Sequence, residues 1–333
     1  MATPSRVARA RVTAQDAVSW LCARVPSRWR LRIRESYLSG GSPAAQRARG
    51  AVLRVVRLGG IPQAGPFPVP GYADARMVPT DSYIVNYLFW LGAEGYEPGG
   101  PDWWARLVAS HTSVLEVGAN VGLYTVVAAG RAAGVPYRAV EPNPPSAAAL
   151  RRNLATNRLD HVRVDEAAVV AGRGEREVRL RIPARDRYAA AAGAFVEGAV
   201  GLAEPGDVSV TVPTLAAREL MAGVDLAKFD IEGLELDVLG ALRDRLAADR
   251  PTLVVEVLDG ATGLQAFLAG LIAEAGYRCV VVAGHRGPGH ARPVEVPIAQ
   301  ATDGRVQRRF RTRDVTLITP ERLAGLGPEP LAR

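Results

Sequence analysis

The sequence predicts an α/β fold: a Rossmann-like, doubly wound, mostly parallel seven-stranded sheet with an N-terminal appendage and an inserted β-rich segment. Three observations predict it. From residue 113 onward, short apolar runs alternate with helix-period segments, as in a parallel sheet covered on both faces. A glycine-bearing turn, Glu116-Val117-Gly118-Ala119-Asn120-Val121-Gly122, separates the first run from the first helical segment. Acidic residues then recur where later runs end, at Glu141, Asp230 and Glu256. In such sheets that is the edge where ligands bind.

Each element follows from local pattern. Strands are expected at 113–117, 137–140, 162–165, 226–229, 252–257, 277–282 and 315–318, and helices at 124–133, 145–157, 235–247 and 263–275. Between 166 and 215 the period changes to two, in Arg176 to Ile182 and in Val208 to Val212, which marks the inserted strands. The Ala/Gly-rich stretch 189–201 between them has no period and reads as a surface loop or a lid. Upstream, Ser82 to Trp90 reads as an apolar element packed on the main domain, and Trp103 to Ala109 as a short helix. Residues 1–70 read as a basic appendage and Pro/Gly-rich connector, and 71–333 as the main domain. Trp20 to Tyr37 is expected to be helical, and the arm through residue 60 to be dispensable for folding.

Composition narrows the function classes. A chain of 333 residues with 48% hydrophobic content can bury a sizeable core. Cys22 and Cys279 are far apart and lack metal-ligand spacing, so no disulfide framework, no zinc site and a reducing cytoplasm are expected; no metal ligand is named, and whether a divalent metal assists stays open. No run of eighteen apolar residues predicts a transmembrane helix, and Arg24 interrupts the short apolar stretch at 17–22 that a signal peptide would need. Residues 1–60 hold twelve arginines against Asp16 and Glu35, a net +10, so the remainder of this +7 chain is about −3. A basic arm can meet nucleic acid, an anionic membrane surface or an acidic carrier, or simply be solvated. With only Trp20, Trp29 and Tyr37 interleaved, no specific nucleic-acid partner is expected. Of the 41 basic residues, only Lys228 is lysine.

The first motif departs from the dinucleotide fingerprint, because Asn120 stands where GxGxxG needs its second glycine. Asn tolerates positive φ and can replace a turn glycine. Glu116, which opens the motif, would repel a pyrophosphate and suits a cationic, amine-bearing ligand such as S-adenosylmethionine. Glu141, twenty-five residues later, ends the next strand, where a carboxylate can accept ribose hydroxyls. Gly118, Gly122 and Asn143 complete the two turns.

The third motif, Lys228-Phe229-Asp230-Ile231-Glu232-Gly233, follows a strand and precedes a helix. Asp230 and Glu232 either cap that helix or face the ligand edge. His111 and His161 precede strands and belong at the opposite edge; His285 and His290 lie in a Gly/Pro loop after a strand.

Together these motifs resemble the FkbM family of S-adenosylmethionine-dependent methyltransferases. The matching segments are 116–122, 140–144, Asn153-Leu154 with Asn157, 228–233 followed by Glu235 and Leu239, and 251–256. Gly95-Tyr96-Glu97-Pro98 and 314–320 match in order on either side. The resemblance spans roughly 80–320. The family usually opens its first motif with Asp, where this chain has Glu116, and often has Thr-Leu-Asp where this chain has Thr214-Leu215-Ala216. The resemblance implies O-methylation of a hydroxyl on a saccharide or other small-molecule acceptor, with S-adenosylmethionine as cofactor. It implies cofactor contacts at Glu97, Glu116, Gly118, Asn120, Gly122, Glu141, Asn143, Glu166 and Ala167. Asp230 and Glu232 become the base or the hydroxyl acceptor, with Lys228 holding a neighbouring acid ionised. N-methylation and a non-catalytic cofactor-fold protein with a recruiting arm remain alternatives; a nicotinamide enzyme is disfavoured by Asn120 and Glu116. The oligomeric state stays open.

Overall fold

The computed structural model describes residues 17–92, 95–172, 174–183, 193–198, 206–283 and 292–327. Its centre is an eight-stranded sheet. In chain order its strands are β3 (Val114–Val117), β4 (Tyr137–Val140), β5 (Val162–Asp165), β10 (Leu226–Phe229), β11 (Thr252–Glu256), β12 (Arg278–Ala283), β13 (Arg292–Glu295) and β14 (Asp314–Ile318). The spatial order is β13-β12-β14-β11-β10-β3-β4-β5. All seven expected strands are present; β13 is an eighth, paired antiparallel at the edge. The five strands from β5 to β11 are parallel, and the ladders β11–β14, β14–β12 and β12–β13 are antiparallel. The sheet has one strand more than the seven expected; β12 runs against β14, which runs against β11, so β12 points the same way as the five parallel strands and only β14 and β13 oppose them. The chain leaves β3 outward to β4 and β5, then returns to β10 on the other side of β3. That reversal between β3 and β10 opens a crevice at the carboxyl ends.

The β-rich insertion is a separate four-stranded sheet of order β6-β9-β7-β8, formed by β6 (Ala168–Val170), β7 (Glu177–Ile182), β8 (Phe195–Val196) and β9 (Val208–Ala216). Val178, Leu180 and Val212 alternate inward and give it a small core of its own. Of the loop expected at 189–201, only 193–198 lies within the described residues.

Helix breaks follow local chemistry. The helix expected over Trp20 to Tyr37 is two, residues 17–24 and Ser27–Leu38, because Pro26 cannot continue the first. The helix expected over 235–247 splits into Glu235–Ala241 and Arg243–Asp249 at Leu242, which is fully buried. The apolar element at 82–90 is the helix Tyr83–Leu91, capped by the Ser82 hydroxyl and buried along most of its length.

The N-terminal segment is bound to the domain more closely than an appendage. β1 (Phe67–Val69) and β2 (Tyr72–Met77) form a hairpin whose turn holds the 70/71 boundary, so connector and main domain share it. Leu53 and Val56, on the helix Pro43–Val56, pack into the same core as Phe67, Tyr72, Phe89 and Trp90. Arg34 donates to the Phe89 carbonyl, and Arg57 to the Tyr87 hydroxyl at 2.8 Å. The arm through residue 60 therefore carries part of the core. Leu53→Ala should cost about 2–5 kcal/mol in denaturant unfolding, while the exposed Arg54→Ala should fall within about 0.5 kcal/mol of wild type. A neutral Leu53→Ala would show that these helices add nothing to the core.

Candidate functional site

The crevice is a cavity, open on one side, at the carboxyl edge of β3, β4, β10 and β11. Two glycines shape the turn at its base. Gly118 has φ +84°, and a Cβ there would overlap the Asp230 carbonyl oxygen, so only glycine lets the β3 turn cross the end of β10. Gly122, also at φ +84°, would meet Leu150. Asn120 takes φ 50°, the turn conformation expected of it, and its side chain accepts from the Val121 N–H at 2.8 Å.

Of the sequence-named residues, Glu97, Gly118, Asn120, Glu141, Ala167, Asp230 and Glu232 line the cavity. Glu141 accepts the backbone N–H of Asn120 at 2.7 Å and of Asn143 at 2.8 Å, one on each carboxylate oxygen. A carboxylate offers about four lone-pair positions, so hydrogen-bond capacity remains toward the cavity. Burial pushes Glu141 up to about 7, against the pull of those two N–H groups.

Five named residues do not line it. Glu116 faces the opposite side of β3, where it accepts from the Thr125 hydroxyl at 2.8 Å and from the Tyr137 hydroxyl. It stitches β3 to its helix and to β4, and the expectation of a ligand-facing carboxylate there is corrected. Strand alternation is the reason: Val117 faces the cavity, so its neighbour cannot. Gly122 and Asn143 shape turns, and Glu166 pairs with Arg151 at 2.7 Å on the surface. Lys228 is the cross-strand partner of Glu116 and is equally buried beneath the floor.

Lys228 donates to Asp230 at 2.7 Å, lies 3.9 Å from Asp314, and sits 4.9 Å above the Tyr124 ring. Tyr124 in turn donates to Glu97 at 2.8 Å and to Asp314 at 3.3 Å. Burial alone would pull the Lys228 ammonium down, but Asp230, Asp314 and Glu97 more than reverse it and hold it charged. Burial, with Asp314 adding repulsion, pushes Glu97 up to about 7.

The capping alternative for the third motif is answered by Glu235. Its carboxylate accepts the turn N–H groups of Ile231 at 2.8 Å and Gly233 at 3.0 Å. Asp230 and Glu232 are thereby left to the cavity, with Glu232 at φ 52°. Burial, then Asp230, pushes Glu232 up to about 7. Glu256 joins them from the end of β11: one of its oxygens is buried with no hydrogen-bond partner, and the other lies 3.7 Å from Arg313.

Asp230, Glu232 and Glu256 bring one carboxylate oxygen each within 4.8 Å of one another, among the described residues. Such a hard oxygen set could hold a divalent cation, a possibility that the linear spacing of these acids hides. Sequence reasoning also missed Ile84, Tyr96 and the insertion's Leu180, Phe195 and Val196, which wall the cavity. Among the described residues, no histidine lines the cavity. His111 is buried at the amino edge against Leu107 and Thr252, His161 is exposed beside β5, and His285 and His290 lie outside the described residues.

Glu97, Glu116, Glu141 and Glu232 all sit near 7, above the ordinary carboxylate range. The folded chain therefore binds more protons than the unfolded chain between about pH 4.5 and 7. Their contribution is fully present below that window and is lost as pH rises through it. The melting temperature of the ligand-free protein should fall from about pH 5 to about pH 7.5. A flat or rising profile would show these carboxylates ionised throughout.

A family model described as the methyltransferase FkbM domain matches residues 116–279, close to half of the chain. Among solved structures, the chain is similar to the methyltransferase FkbM from Methylobacillus flagellatus KT, at 14% identity and a TM-score of 0.37. That alignment covers 70% of this chain and 52% of that one, so the chain spans about half the length of the Methylobacillus protein. It is also similar to an O-methyltransferase from Bacillus cereus in complex with SAH (11% identity, TM-score 0.35, 69% of this chain and 84% of that one). A third is a putative O-methyltransferase from Klebsiella pneumoniae (13% identity, TM-score 0.35, 66% and 79%). No curated protein matches. Residues 116–279 are thus an FkbM methyltransferase domain.

Proposed function

We propose that this chain transfers a methyl group from S-adenosylmethionine to a hydroxyl oxygen of a sugar, glycan or secondary metabolite. The observation that carries the proposal is the cavity's polarity. Glu141 stands at one side of the β3 turn, and Asp230, Glu232 and Glu256 stand at the other, with no lysine or arginine among the lining residues described. Such a cavity suits a ribose at Glu141 and a sulfonium cation toward the acids.

When bound, the cofactor supplies an electrophilic methyl carbon whose bond to sulfur breaks as the acceptor oxygen attacks. The chain's own residues do the rest. Glu232, near neutrality, is matched to take the hydroxyl proton. Asp230, fixed by Lys228, accepts a hydrogen bond from the acceptor and orients it. Gly118 lets the ligand approach the backbone, and Phe195 and Val196 of the insertion exclude water from above. Acid-rich walls also favour an amine-bearing acceptor, and N-methylation is the second reading. The chemical shift of the transferred methyl group in the product separates the two.

Calorimetric titration should show S-adenosylhomocysteine binding and no NAD binding; the reverse overturns the cofactor assignment. Glu141→Ala should weaken cofactor binding about ten- to a hundredfold, since hydrogen bonds to a charged group contribute about 1.5–3 kcal/mol. Glu116→Gln should leave cofactor affinity within a few fold and lower the melting temperature, because that side chain faces the interior. Turnover should rise with pH through about 7 and fall roughly 10²–10⁴-fold in Glu232→Gln. Near-normal kcat in Glu232→Gln and Asp230→Asn, with early melting, would make both acids structural.

A further inference from the structure

Eight large hydrophobic side chains are exposed among the described residues, and five of them lie between residues 20 and 55: Trp20, Leu21, Trp29, Val52 and Val55. Trp20 and Leu21 are more than half exposed, at 57% and 58%. Specific contacts gather the five. Arg30 donates to the Gly60 carbonyl, which sets the start of the helix Ser27–Leu38 beside the end of the helix Pro43–Val56. A Cβ on Gly59 would lie 2.6 Å from the backbone of Cys22 and Ala23, so the helix over 17–24 ends at the same place. Arg49, donating to Ser36 and Gly40 at 2.8 and 2.7 Å, ties the opposite end of the hairpin. The apolar side chains thus collect toward the hairpin's open end.

The same segment is strongly basic. Residues 17–60 hold nine arginines and one acid, Glu35, a net +8. Arg24, Arg28, Arg32, Arg47 and Arg54 are exposed. Arg24 stacks over Trp20, 3.2 Å from the ring centroid, and Arg32 lies 5.3 Å over Trp29. Among the described residues, no carboxylate forms an ion pair with an arginine of this segment.

We infer that this helical face docks on an anionic lipid surface. Tryptophan rings sit well at the depth of the headgroups, arginine stems snorkel toward phosphate, and exposed aliphatic side chains gain by entering the acyl boundary. Charge complementarity selects the anionic leaflet. A nucleic acid would match the arginines but leave Leu21, Val52 and Val55 in water. A second copy would bring two +8 faces together, which like-charge repulsion opposes.

The test uses the full chain with vesicles of phosphatidylcholine alone or mixed with phosphatidylglycerol. Trp90, Trp103 and Trp104 are buried, so a change in tryptophan emission on binding reports Trp20 and Trp29. The expected result is binding to the mixed vesicles with a blue shift, weakened by salt, and none to phosphatidylcholine alone. Trp20→Ser with Trp29→Ser should abolish the shift. Arg24→Gln, Arg28→Gln and Arg32→Gln together should weaken binding about a hundredfold, at roughly fivefold per arginine. All these side chains are exposed, so unchanged melting temperatures are expected. Equal binding to both vesicle types, or to neither, overturns the inference. So does a blue shift driven by duplex DNA rather than by vesicles, or a dimer in the wild type that the tryptophan variant abolishes.

Discussion

The arrangement of the site depends on one buried cation. Lys228 is the chain's single lysine, 2% exposed, beneath a cavity lined by acids. A compact ammonium with three donors can reach acids in several directions, which a planar guanidinium fork does less well. It holds Asp230 at the end of β10 and draws in Asp314 at the start of β14. Through Tyr124, the same cluster reaches Glu97 in the segment before the first central strand. Three stretches far apart in sequence are thus fixed around a single charge. Removing one partner of such a buried pair leaves an uncompensated charge, typically at about 3–5 kcal/mol. The position of Asp230 at the cavity mouth is therefore set from below, by the sheet interior, and not by the loop that carries it.

Backbone geometry does the complementary work from above. The Gly118 turn touches the Asp230 carbonyl, so β3 and β10 approach at their ends as closely as main chains allow. Glu235 absorbs the N–H groups of the following turn, and Glu232 adopts positive φ. These features leave two carboxylates aimed at the cavity instead of at their own helix. A non-glycine residue at positive φ stores conformational strain that the surrounding contacts must offset.

Much of this was legible in the sequence, because apolar alternation and glycine turns report local constraints. All seven expected strands of the central sheet form, and Asn120 takes the turn conformation read from its type. What eluded the sequence was side-chain direction. Glu116 reads as a ligand-facing acid when only its place in the motif is considered. With Val117 in the cavity wall, pleat alternation sends Glu116 inward to Thr125 and Tyr137, and pairs it across the ladder with Lys228. Lys228 was legible as unusual but not as buried. Glu256 is legible as a second acid at the same strand edge, but its contact with Asp230 is created by strand order, and Asp314 carries no local signal at all. The single helix expected over 20–37 breaks at Pro26, and the expectation of a dispensable arm did not foresee that Leu53 and Val56 pack long-range against residues 67–90.

The site also extends beyond the stretch that matches the family. Residues 116–279 supply the glycine turn, Glu141, Asp230, Glu232 and Glu256. Ile84, Tyr96 and Glu97 come from before it, and Asp314 from after it. Within it, Leu180, Phe195 and Val196 of the inserted sheet form a wall that the central sheet does not provide. The division of labour is physical. The parallel edge fixes groups on rigid strand ends, where geometry tolerates little change. The flanks and the insertion contribute groups that close the volume and adjust its charge. Glu97 shows the consequence most directly: a carboxyl group pushed up to about 7 by burial and by Asp314 stands in the cavity, and it meets the matched domain through the Tyr124 hydroxyl and the charges of Lys228 and Asp230. What the cavity accepts is therefore decided as much by these additions as by the shared core.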